Sequence, residues 1–89
     1  MKIKKGFILR DMGEFSVVVA TMELLKEYNC MITLNQSGKL LWKTLEKGAT
    51  KEELLKVMLD EYEVDENTAK QHIDGFLNKL SEAKILEDN

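Results

Sequence analysis

Eighty-nine residues suffice for one small domain, and a chain this short buries only about 60% of the surface its unfolded form exposes. Little is left over for a catalytic cleft with its own supporting shell. Hydrophobic residues at 44% and charged residues at 33% exclude a disordered chain, and the single cysteine, Cys30, excludes an internal disulfide and the stapled secreted class. The net charge of −3 is lopsided: seven basic and four acidic residues up to position 45, then six basic and twelve acidic. The second half is thus the opposite of the basic surface that a nucleic-acid reader needs.

No apolar run approaches the ~20 residues that span a bilayer. Arg10, Asp11 and Glu14 follow the basic start too soon for a signal peptide. The expectation is a soluble protein of the cytoplasm, with residues 1–89 as a single domain.

Strands are expected first, within 7–34. Phe7-Ile8-Leu9-Arg10 is a short apolar run, Asp11-Met12-Gly13-Glu14 has turn chemistry, and Phe15-Ser16-Val17-Val18-Val19 is β-branched. Together they predict a hairpin. Thr21 to Asn29 fits either a helical turn or a structured connection. Met31-Ile32-Thr33-Leu34 reads as a third strand.

Three helices follow, within 36–84. Asn35 is a candidate N-cap, with Gly38, Leu41, Trp42 and Leu45 on one helical face and Gly48 at the position of a terminating glycine. Thr50 and Glu53 have the spacing of a capping box, ahead of a buried stripe of Leu54, Leu55, Met58, Leu59 and Tyr62. Asp65 caps a third and longest helix, from about Glu66 to Lys84. Its core stripe is Ala69, Ile73, Phe76, Leu77, Leu80 and Ala83, and Val64 is placed to staple onto Ala69. Ile85 and Leu86 read as a docked tail. The fold class is α+β: a three-stranded N-terminal antiparallel sheet followed by three helices, winged helix-turn-helix-like.

The sequence offers no catalytic signature. Ser16, Ser37 and Ser81 lack a glycine-elbow context, and Cys30 and His72 form no recognisable nucleophile pair. One cysteine and one histidine do not supply a metal's three or four ligands. No glycine loop is built to cradle a phosphate, so no cofactor is expected. The third helix and its caps carry Asp65, Glu66, Asp74 and Glu82 against Lys70, Lys79 and Lys84, and no arginine follows Arg10. That speaks against DNA, because arginine is the commonest base reader. An exposed strand edge remains. It can accept an extended peptide as an added strand, or pair with a second copy of the chain as a small dimerising scaffold.

One ordered set of residues then stands out: Met31-Ile32-Thr33-Leu34-Asn35, Gln36-Ser37-Gly38, Leu41-Trp42, Leu45 and Gly48-Ala49-Thr50. It continues through Glu53-Leu54, Leu59, Tyr62, Val64, Ile73, Phe76-Leu77, Leu80 and Ile85-Leu86, with Leu9-Arg10 and Val17-Val18-Val19 upstream. This set resembles the pyrroloquinoline quinone biosynthesis protein D family, also called the RiPP recognition element. The resemblance implies a non-catalytic adaptor, monomeric or homodimeric, that binds the leader of a ribosomally made precursor peptide. It would present that leader to a modifying enzyme such as a radical SAM protein, a cyclase or a protease. The leader is expected to add antiparallel to the third strand, at Cys30, Met31, Ile32, Thr33 and Leu34. The facing wall is expected from one flank of the third helix, at His72, Gly75, Phe76 and Lys79, with Ile73 and Phe76 helping to floor the groove. Two departures from the family pattern are visible. His72 stands where an acidic residue is common, and Thr21 to Asn29 lacks the usual Pro-Glu. A winged-helix DNA-binding or regulatory domain is the alternative.

Overall fold

The computed structural model describes residues 1–20 and 32–87. In chain order these form β1 (Lys2–Ile3), β2 (Phe7–Asp11), β3 (Ser16–Ala20), β4 (Ile32–Leu34), α1 (Gln36–Glu46), α2 (Lys51–Glu61), α3 (Glu66–Glu82) and β5 (Leu86–Glu87). The expected α+β order is present. The expectations for Thr21 to Asn29, Cys30 and Met31 lie outside the described residues.

β2, β3 and β4 make an antiparallel sheet in that order. Its register puts Phe7, Leu9, Val18, Ile32 and Leu34 on one face, and all five belong to or pack against the core. Ile8, Arg10, Val17, Val19 and Thr33 occupy the other face, as the period-2 geometry of a strand requires. The β2–β3 turn is closed by Met12 N–H donating to the Phe15 carbonyl at 2.9 Å and by Gly13 N–H donating to Asp11 Oδ1 at 3.0 Å. Gly13 has φ 103°, a backbone region that L side chains rarely adopt. Phe15 therefore lies in the turn, 43% exposed, and the strand begins one residue later at the buried Ser16.

The turn is fastened to α1. Lys39 forms an ion pair with Asp11, and Gln36 Nε2 donates to the Gly13 carbonyl at 3.0 Å. The helices begin where their caps predict. Asn35 Oδ1 accepts from Gly38 N–H, Thr50 and Glu53 form the full reciprocal capping box, and Asp65 accepts from Thr68 N–H. Gly48, at φ 86°, follows the end of α1. Leu41, Trp42, Leu45, Leu54, Ala69, Ile73 and Leu80 are buried in one core, where Trp42 meets the edge of Phe7 at a ring separation of 6.5 Å. Leu59 departs from the expected stripe of α2. It is 39% exposed because only Leu54 and Met58 of that stripe point squarely inward.

Two short strands lie outside the expected range. β1 pairs antiparallel with β5, with Lys2 opposite Glu87 and Ile3 opposite Leu86. The Ile85–Leu86 tail is therefore a paired strand. It is aimed there by the end of α3, where Lys84 N–H donates to the Ser81 carbonyl and Ile85 N–H to the Leu80 carbonyl, with Lys84 at φ 59°. This is the Schellman arrangement with lysine in the left-handed position. Met1 is tied down as well. Its amino group donates to the Ala49 carbonyl at 3.0 Å, and Ala49 N–H donates back to the Met1 carbonyl at 2.9 Å.

Candidate functional site

β4 is an edge strand. β3 pairs with it on one side, and no strand among the described residues pairs on the other. Its side chains alternate, with Ile32 and Leu34 buried and Thr33 exposed, so Thr33 stands on the face away from the core.

Beside this edge runs an open groove of about 260 Å³. Thr33 and Leu34 line one wall. The other wall is one flank of α3, made by His72, Gly75, Phe76 and Lys79. These positions follow the i, i+3, i+4, i+7 spacing that aligns side chains along one helix face. The floor is apolar: Leu34, Leu41 and Phe76 are buried in the core and show their surfaces here. Gly75 adds width. A Cβ built on it meets no atom within 4 Å, so this glycine leaves space open rather than allowing a close helix–helix contact.

Of the site residues expected from the sequence, Thr33, Leu34, His72, Gly75, Phe76 and Lys79 come together in the groove. Ile32 is on β4 but faces the core. Ile73 does not line the groove. One helical step of about 100° past His72 turns it toward α2, where it is buried beside Leu55 and Asp74. Cys30 and Met31 lie outside the described residues. The sequence reading missed the end of the groove, built from Asn35, Ser37 and Gly38 in the first turn of α1, and it missed Gln71 on α3. A signal for the former was present in Gly38. Its backbone approaches so closely that an added Cβ would lie 3.2 Å from Leu34 Cβ.

Lys79 is the one full charge on the lining, which includes no carboxylate. Among the described residues, Asp11 and Asp65 are the carboxylates with displaced pKa values, and neither is part of the groove lining. The Lys39 side chain, then Gly13 N–H, holds Asp11 below the usual range, and hydrogen bonds from the Thr68 side chain and backbone do the same for Asp65. Among the described residues, no group of three His, Cys, Asp or Glu side chains is placed to hold a metal ion. The lining therefore offers backbone hydrogen-bonding groups, apolar contact and one cation.

The model of the family described as Coenzyme PQQ synthesis protein D (PqqD) matches residues 17–86. The chain belongs to the PqqD family. Two solved structures share the PqqD-like fold over nearly their whole length. TbiB1 in complex with the TbiA(beta) leader peptide has a TM-score of 0.78 and 25% identity, covering 100% of this chain and 98% of that one. Lasso peptide synthetase B1 complexed with the leader peptide has a TM-score of 0.74 and 16% identity, covering 98% and 96%. The second likeness, at that identity, speaks to the fold alone. No curated protein gives a significant match.

Proposed function

We propose that this PqqD-family domain is a non-catalytic adaptor. It captures the leader of a ribosomally made precursor peptide and presents it to a modifying enzyme such as a radical SAM protein, a cyclase or a protease. It does so in the cytoplasm; no helix among the described residues is long and apolar enough to cross a membrane. The observation that carries the reading is the open edge of β4 beside an apolar-floored groove.

An extended peptide laid along that edge continues the sheet. Its backbone pairs with the outward N–H and C=O groups of β4, and alternate side chains drop onto Leu34, Leu41 and Phe76. Each ladder bond contributes only about 0.5–1.5 kcal/mol net, so a three-residue strand secures position more than affinity. Apolar contact in the groove supplies most of the rest. The relative TbiB1 was solved with a leader peptide, which supports the same use of the fold here.

Titration of a labelled leader peptide from a neighbouring gene, followed by fluorescence anisotropy, tests the proposal. Saturable binding is expected, and none at high micromolar protein would sink it. A proline scan over Ile32, Thr33 and Leu34 locates the edge. Backbone N–H groups alternate in direction along a strand. Proline at a position facing the open edge is expected to weaken binding with little change in melting temperature. Proline at a position facing β3 is expected to lower the melting temperature. Folded variants that all bind as the parent does would place the site elsewhere.

A further inference from the structure

The groove beside β4 does not stop at the end of the strand. At Asn35, Ser37 and His72 it opens into a second depression, and these three side chains line both. This second space is the larger, about 380 Å³ against about 260 Å³. Beyond the shared residues its walls are Met58 of α2, Tyr62 at the C-cap of α2, Val64 in the link to α3, Gln36 at the start of α1 and Glu14 in the hairpin turn. Met58 is buried, and Tyr62 and Val64 are half-buried against the core while still lining the opening.

The geometry points to a second subsite here, filled by an apolar side chain from the same bound peptide, in the stretch N-terminal to the residues that pair with β4. The inference rests on the adaptor reading above and goes further by dividing the leader into two anchors. Two observations choose the occupant. The first is continuity, since one unbroken surface joins the strand edge to the depression through Asn35, Ser37 and His72. The second is direction. Both strand pairs in this sheet are antiparallel, and antiparallel pairing is slightly the more stable kind. β4 runs from Ile32 toward Asn35, so a peptide added antiparallel starts at the Asn35 end. Its preceding residues then lie over Tyr62 and Val64. The shortness of β4 gives this anchor its purpose, because three residues of edge fix where a peptide lies but bind it weakly.

The test begins with a displayed library of random peptides of about twelve residues. At ~3.3 Å per extended residue this length crosses the domain's 40 Å long axis. A peptide selected by the intact protein is synthesised whole, without its N-terminal third, and without its C-terminal third. Each is titrated against the parent and against Tyr62→Ala. Loss of the N-terminal third is expected to weaken binding to the parent about tenfold. Tyr62→Ala is expected to weaken the whole peptide by a similar factor and leave the N-terminally shortened one unchanged. If Tyr62→Ala does not fold, the truncations on the parent decide alone. N-terminal residues that can be removed without loss, or a loss confined to C-terminal truncation, overturn the two-anchor inference and leave the adaptor reading standing. Failure to select any peptide overturns both.

Discussion

Gly38 and Gly75 both sit inside helices, where glycine costs about 1 kcal/mol relative to alanine, yet one added methyl acts oppositely at the two. At Gly75 nothing lies within 4 Å of the new Cβ, so Gly75→Ala is expected to gain most of that energy. For a domain of this size the melting temperature then rises by about 4–8 °C. The same change narrows the groove, and Gly75→Leu is expected to weaken leader binding at least about tenfold while melting no lower than the parent. Equal binding by the leucine variant would show that no peptide passes over this position. At Gly38 the new Cβ meets Leu34 Cβ at 3.2 Å and the capping Asn35 Oδ1 at 3.3 Å. Neither atom can retreat freely, one being fixed by the strand and the other by its hydrogen bonds. Gly38→Ala is expected to lower stability by about 1 kcal/mol, read as a lower denaturant midpoint at constant slope.

Asp65 gives the pH dependence its sign. Hydrogen bonds from Thr68 hold its carboxyl below the ordinary 3.8, so the folded protein binds that proton less readily than the unfolded chain. The stabilisation is complete well above 3.8 and is lost as pH falls through the lower folded value. Asp11 adds in the same direction through Lys39. Asparagine caps a helix about as well as aspartate but does not titrate. Asp65→Asn is therefore expected to lose less stability than the parent in urea unfolding at about pH 5 and about pH 2.5.

At the scale of elements, the helices were legible because their signals are local. Asn35, Thr50 with Glu53, and Asp65 each announce a helix start within four residues, and each cap is made. The wall of the groove was legible for the same reason, since His72, Gly75, Phe76 and Lys79 share a flank by spacing alone. Ile73, expected both in the core stripe of α3 and on the groove floor, is buried as the stripe requires but does not line the groove. Residues one step apart point about 100° apart, and its apolar character places it toward α2. The α1 end of the groove went unseen because Asn35 already had a complete local explanation as the N-cap. Nothing in the spacing of Asn35 and Ser37 tells that α3 lies opposite them across the groove.

For the whole molecule, the uneven charge argues against a nucleic-acid use of this shape. α3 carries Glu66, Asp74 and Glu82 against Lys70 and Lys79. Phosphate contacts are what give duplex binding its strength and salt dependence. No salt-dependent retardation with duplex DNA is expected, even at low ionic strength. A shift that weakens linearly with log salt would revive the nucleic-acid reading.

The β1–β5 pair was invisible in the sequence because two-residue strands have no periodicity to detect and Lys2 and Ile3 find their partners only at Glu87 and Leu86. That pairing has a consequence for how the chain reaches its fold. The hairpin and the three helices close through short loops, whereas this ribbon waits until almost the entire chain has been brought into place. It is expected to form late in folding, and its amides to exchange with solvent well before those of α1 and α3. Linking the two ends through a short flexible segment would turn this long-range contact into a local one. The circular form is expected to refold faster in stopped-flow measurements and to keep the groove beside β4 unaltered.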